Sequence, residues 1–289
     1  MNDNYRYTLK GKCTVVETEE GMYVVKEKPE NSNISGLYNY LKSRDFFLFP
    51  EILNDSRKDV NVYEHVEDVS MPDAQRAEDL VNIVSNLHSK TLYFKEVSED
   101  KFKELYDNIV SNINFLENYY NTLFDKFFKE KYMSPSHYLF MRNFYKVEGS
   151  LVFCRSELDT WYELVKSEKQ MRVCVNHGDL SIAHFLKSDR SVLISWEKNR
   201  VDTPVLDLVN FYKNDLFKYN FSSIYEKYND NFPLNKHEKN LFYVLITIPD
   251  KVEFNSSEFE NTIKVRRMLD KLFKTESLIK PYYSEYKEE

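Results

Sequence analysis

The hydrophobic spacing of this chain changes once, and that change limits what it can fold into. Residues 13–18 and 22–27 alternate β-branched and polar side chains around Glu19, Glu20 and Gly21. This is the pattern of two strands joined by a turn, with Gly21 free to take a positive φ. Residues 33–44 then place Ile34, Leu37, Tyr38 and Leu41 on one helical face. An apolar stretch carrying Pro50 and a turn around Asp55, Ser56 and Arg57 lead to a further strand at 59–66. Beyond Pro72 the period becomes helical. Leu80, Ile83, Val84 and Leu87 share a face across 77–89, and 98–131 carries Phe102, Leu105, Ile109, Ile113, Leu116, Tyr120, Leu123 and Phe127 at helical spacing. The expected fold class is therefore α+β: a small mixed N-terminal lobe, residues 1–67, and a large mostly helical lobe, residues 68–289.

Later signals are more local. Ser134 and Pro135 suit the N-cap and first turn of a helix running to about Phe153. Ser156 with Asp159 resembles a capping box before Trp161. Short strands are expected at 172–175 and 191–195, and a helix at 206–216. The tail, 235–286, reads as two or three helices broken near Pro249 and Pro281. The Tyr and Phe stripes at helical spacing read as core.

Composition excludes several classes. Five glycines in 289 residues leave little room for a glycine-rich phosphate loop. No window of about 20 apolar residues would span a membrane, and Met1 to Arg6 lack the apolar core of a secretion signal. A net charge of −7 argues against a nucleic-acid partner. Three dispersed cysteines, Cys13, Cys154 and Cys174, give no disulfide framework, so a reducing cytoplasm is the expected setting. Cys174, His177 and His184 have a tempting spacing for zinc, but no second pair completes the ligand set.

Three motifs, in order, carry more information. Asn176-His177-Gly178-Asp179-Leu180 is followed by Leu193-Ile194-Ser195-Trp196-Glu197 and then by Asp202-Thr203-Pro204-Val205-Leu206-Asp207-Leu208. Together they resemble the aminoglycoside phosphotransferase and choline kinase superfamily, including the bacterial spore-coat-associated kinase-like proteins. The resemblance implies a bilobal protein kinase-like fold. It places Asp179 at the catalytic position, Lys26 where such folds contact phosphate, and Tyr63, Glu64, His65 and Val66 on the hinge strand that brackets an adenine. It gives His177, Asp202 and Asp207 structural roles around the catalytic loop, with Asp207 near a helix N-terminus.

The same alignment exposes a deficit. Phosphoryl transfer depends on positioning and on neutralising a polyanion, chiefly by Mg²⁺. Relatives place a metal-binding Asn five residues after the catalytic Asp and a metal-binding Asp on the following strand. Here those positions are His184 and Ser195. Mg²⁺ prefers oxygen ligands in octahedral geometry, and imidazole suits other metals. Glu197, two residues past Ser195, would share its face if the strand continued, and is the candidate substitute ligand. No acid lies between Asn31 and Arg44, so Lys26 has no expected partner on the adjacent helix.

Two functions follow. One is a pseudokinase, a scaffold for an unidentified protein partner or a binder of a small ligand or nucleotide without turnover. The other is a small-molecule phosphotransferase acting on an amino-alcohol, sugar or aminoglycoside-type hydroxyl, with a metal site rewired around Asp179, Glu197 and His184. Only the second requires ATP and Mg²⁺ as cofactors.

Overall fold

The computed structural model describes residues 6–10, 13–19, 21–28, 33–53, 59–98 and 100–286. The turn expected at Asp55, Ser56 and Arg57, and Glu20 within the hairpin turn, lie outside them. The chain divides into two compact units. The first comprises the segment up to Tyr93 with Val173–Asp215 and Ile224–Phe232; the second comprises Phe94–Arg172, Leu216–Ser223 and the chain from Pro233 onward.

The first unit is built on a five-stranded antiparallel sheet in the order β1-β2-β3-β5-β4. Its strands are β1 (Arg6–Lys10), β2 (Cys13–Thr18), β3 (Gly21–Glu27), β4 (Ile52–Leu53) and β5 (Val60–Glu64). The β2–β3 hairpin closes with Thr18 opposite Gly21, whose φ of 142° meets the expectation for that turn. Helix α1 (Ile34–Ser43) starts at Asn33, whose side chain accepts a hydrogen bond from the Gly36 amide, and buries Ile34, Tyr38 and Leu41. Helix α2 (Asp73–Thr91) buries the stripe Leu80, Ile83, Val84 and Leu87, each worth about 1.5–3 kcal/mol of transfer free energy.

β6 (Tyr93–Glu96) leads into the second unit, which stacks α3 (Asp100–Phe128), α4 (Pro135–Arg142) and α5 (Phe144–Val165). After β7 (Gln170–Asn176) come the short pair β8 (Phe185–Leu186) and β9 (Val192–Leu193), then β10 (Arg200–Asp202), antiparallel to β7. Helices α6 (Val205–Asp215), α7 (Phe221–Asn231), α8 (Lys236–Thr247) and α9 (Glu258–Tyr286) complete the chain. No described helix is long and apolar enough to cross a membrane.

Four local expectations fail for identifiable reasons. The helix expected over 134–153 is two helices parted at Asn143, whose φ and ψ of −113° and 10° are not helical. Ser156 and Asp159 sit in the middle of α5 rather than at a cap; Asp159 accepts a hydrogen bond from Tyr106 at 2.6 Å. The strand expected at 191–195 ends at Leu193, and Ser195 is left-handed with φ 66°. α9 continues through Pro281, which removes one amide from the ladder but does not end the helix. α7 escaped the sequence reading, as did β1, β4, β6, β8 and β10.

Candidate active site

Every residue singled out from the motifs lies in the first unit. Helix α6 organises the loop that carries Asp179. Asp207, fully buried in its first turn, accepts hydrogen bonds from the amides of His177 at 2.6 Å and Gly178 at 2.9 Å. One and two turns later, Asn210 donates to the Gly178 carbonyl and Asn214 to the Leu180 carbonyl, both at 3.0 Å. Asp215 accepts from the Ile182 amide at 2.9 Å. A single helical face thus grips the loop backbone from 177 to 182. Asn210, Asn214 and Asp215 were missed from sequence; their signal was polar residues at helical spacing from Asp207 on an otherwise apolar helix.

Burial raises the Asp207 carboxyl pKa. The His88 hydrogen bond, the charges of His88 and His177 and the Gly178 amide outweigh this, and its pKa falls below the ordinary range. His88 itself is buried between Asp207, at 3.3 Å, and the Tyr228 hydroxyl, at 2.7 Å.

His177 is also buried. Its Nε2 lies 2.7 Å from the Ile194 carbonyl, so Nε2 carries the proton and Nδ1 faces the Asp179 amide as acceptor. Burial holds its pKa below 6.5. His177 therefore ties the Asp179 loop to the Ser195 segment. Gly178 is forced at the same junction: its φ is 84°, and a Cβ there would run into the Lys198 carbonyl. Asp202 sets the start of α6. Its carboxylate accepts from the Thr203 amide, and its carbonyl accepts from Asn176.

The Asp179 carboxylate accepts a hydrogen bond from Lys198 at 2.9 Å, which lowers its pKa. His184 donates from Nδ1 to the Asp179 carbonyl at 2.7 Å. Past the left-handed Ser195, the chain enters a 3-10 turn, Trp196–Lys198. Trp196 is core: its indole donates to the Leu193 carbonyl, and it meets Tyr38 and Phe46 edge-on. The strand alternation expected to pair Ser195 with Glu197 is absent. Both nevertheless reach Lys26 of β3, Ser195 Oγ at 3.3 Å and the Glu197 carboxylate at 2.5 Å. Lys26 does have an acidic partner, supplied by this turn rather than by α1.

Lys26, Ser195 and Glu197, but not Asp179 or His184, border a cavity of about 490 Å³ whose walls also include Val15, Val24, Tyr38, Ile194 and Trp196, within the usual size of a small-molecule site. Residues 63–66 form another wall. The Glu64 carboxylate accepts from the Glu51 amide and pairs with Arg190, so it ties neighbouring segments together. The Tyr63 phenol is pushed up to about 12, first by burial. His65 and Val66 lie beyond the last β3–β5 pair, Tyr23 with Glu64, so the sheet does not engage their backbone.

The donor set does not suit Mg²⁺. It offers the His184 imidazole, a neutral hydroxyl at Ser195 and two carboxylates each already held by a lysine, Glu197 by Lys26 and Asp179 by Lys198. Among the described residues no three His, Cys, Asp or Glu side chains gather into a metal-binding group.

The sheet with its flanking α1, the loop gripped by α6 and the helical remainder make a kinase-like α+β fold, with a small antiparallel sheet in the N-terminal region and a mostly helical C-terminal region. Solved structures with this fold include an aminoglycoside phosphotransferase from Alicyclobacillus acidocaldarius subsp. acidocaldarius DSM 446. It is 12% identical, with a TM-score of 0.73 over 98% of this chain and 93% of that one. A glucosamine kinase is 10% identical, with a TM-score of 0.55 over 98% and 78% of the two chains. The AMP-bound complex of a spectinomycin phosphotransferase is 12% identical, with a TM-score of 0.54 over 95% and 93%. At such identities the likeness establishes the fold. No protein-family model matches the chain, and no curated protein matches it.

Proposed function

We propose that this chain is a pseudokinase: a kinase-fold protein that holds a nucleotide-type ligand in its first-unit cavity without magnesium-dependent phosphoryl transfer. A planar base would lie against the backbone of residues 64–66, with its phosphates toward Lys26. The observation that carries this reading is the 2.5 Å pair between Lys26 and Glu197. The one carboxylate on the segment that should grip a metal is engaged by the cation that should grip phosphate. Asp179, which the motif resemblance puts at the catalytic position, has its carboxylate held by Lys198.

A second reading rests on the same carboxylate. Bound phosphate would draw Lys26 away and leave Glu197 as an oxygen anion at the place of the missing Asp. The chain would then be a phosphotransferase acting on a small hydroxyl compound, as the names of its structural neighbours suggest. His184→Asn combined with Ser195→Asp separates the two. Under the pseudokinase reading the double variant gains Mg²⁺-dependent ATP affinity that the parent lacks. A parent that already binds ATP in a Mg²⁺-dependent way, with no gain in the variant, refutes it.

A further inference from the structure

Two ion pairs meet at one turn of the first unit. The 3-10 turn Trp196–Lys198 is fixed at its base. The buried Trp196 indole donates to the Leu193 carbonyl at 2.8 Å, and the Asn199 side chain donates to the Trp196 carbonyl at 2.7 Å. The next two residues each hold a group of opposite charge. Glu197 takes Lys26, and Lys198 takes Asp179 at 2.9 Å. The two pairs therefore hang from neighbouring Cα atoms, about 3.8 Å apart.

The lysines differ in what they can still bind. Lys26 is 23% exposed and Lys198 is 68% exposed. An ion pair this open to water is worth little, so a stronger anion displaces it. An ammonium carries three N–H donors. Lys26 uses two of them, on Glu197 and on the Ser195 hydroxyl. Lys198 uses one, on Asp179, and its ammonium has no other partner among the described residues. Lys26 lines the 490 Å³ cavity, whereas Lys198 stands outside its walls with Asp179.

We infer that Lys198 is a second phosphate-binding residue, which takes the terminal phosphate of a nucleoside triphosphate whose first phosphate meets Lys26. The two ammonium groups together supply the charge of one divalent ion, beside a donor set that does not suit Mg²⁺. Their hydrogen bonds to phosphate oxygens are of the charge-assisted kind. A monophosphate ends at Lys26 and leaves Lys198 with Asp179. The inference rests on the nucleotide reading of the first-unit cavity and narrows its ligand to a triphosphate.

Calorimetric titrations of the full chain in EDTA, with ATP and with AMP, test it. ATP should bind about tenfold tighter than AMP, the gain from one charge-assisted contact. Lys198→Met should lower ATP affinity to that of AMP, and Lys198→Arg should keep ATP ahead. Equal affinities for the two nucleotides in the parent, or an ATP advantage that survives Lys198→Met, would overturn the inference and leave the nucleotide reading standing. Binding of neither nucleotide would defeat that reading and the inference with it.

Discussion

Lys26 and Glu197 stand 2.5 Å apart, each about a quarter exposed, and join the second strand of the hairpin to the turn that follows Ser195. Helix α1 carries no acid, so Lys26 takes its acidic partner from this turn instead. It also sets the electrostatics of the cavity. An ammonium already neutralised by a carboxylate attracts phosphate less strongly than a free one.

Glu197→Gln should release Lys26. A hydrogen bond to a charged group is worth about 1.5–3 kcal/mol, so affinity for AMP or ADP in EDTA should rise about tenfold. Titration calorimetry of both proteins measures this. A fall in affinity would show that Glu197 serves the ligand rather than competing with it.

Gly178→Ala should unfold the junction between the two loops. The substitution combines a φ of 84° with a collision against the Lys198 carbonyl. The left-handed backbone alone costs about 1–3 kcal/mol, and a loss of at least ~2 kcal/mol is expected in urea unfolding. Stability equal to the parent's would mean that the loop and the turn are not packed together.

Asp207→Asn should cost about 3 kcal/mol, because the side chain is fully buried and faces His88 together with two amides. Asn210→Ala, which removes one neutral hydrogen bond, should cost about 1 kcal/mol. Thermal unfolding of the two variants gives the ranking, and a more severe Asn210→Ala would contradict it.

The pH dependence carries a defined sign. His177 has its pKa lowered in the folded state, first by burial, while in the unfolded chain it titrates near ~6.5. Below that pH the unfolded state binds the extra proton, so the His177 contribution is intact above ~6.5 and declines as pH falls toward the folded pKa. Asp207, also lowered, keeps its contribution above the ordinary carboxylate range of ~3.9 and loses it only in stronger acid. A melting-temperature series from pH 8 to 5 should fall for the parent and be flatter for His177→Gln, whose amide can still donate to the Ile194 carbonyl. Identical slopes would remove His177 as the source.

What the sequence revealed and concealed follows the range of the interactions. Periodicity located the hairpin, α1 and the buried stripe of α2, because burial on one face is written at fixed spacing. It missed the break at Asn143 and the continuation through Pro281, where tertiary packing overrides local preference. The ordered motifs drew attention to Asp179, Ser195, Glu197 and Asp207. They could not show that Glu197 meets Lys26, since those residues are 171 positions apart and Ser195 leaves the strand geometry from which its neighbour was placed. Asn210 and Asn214 were readable in principle as turns of one helix from Asp207, but only once α6 was known to face the loop.

On the proposed reading, the first-unit cavity accepts a nucleotide without help from a divalent ion. Calorimetric titration of the full chain with ATP, once in excess EDTA and once in excess Mg²⁺, with ADP release followed in parallel, measures this. A nucleotide-binding pseudokinase should show the same dissociation constant in both and no ADP above the buffer blank. Binding confined to the magnesium titration, with ADP release that disappears in Asp179→Ala, would contradict it.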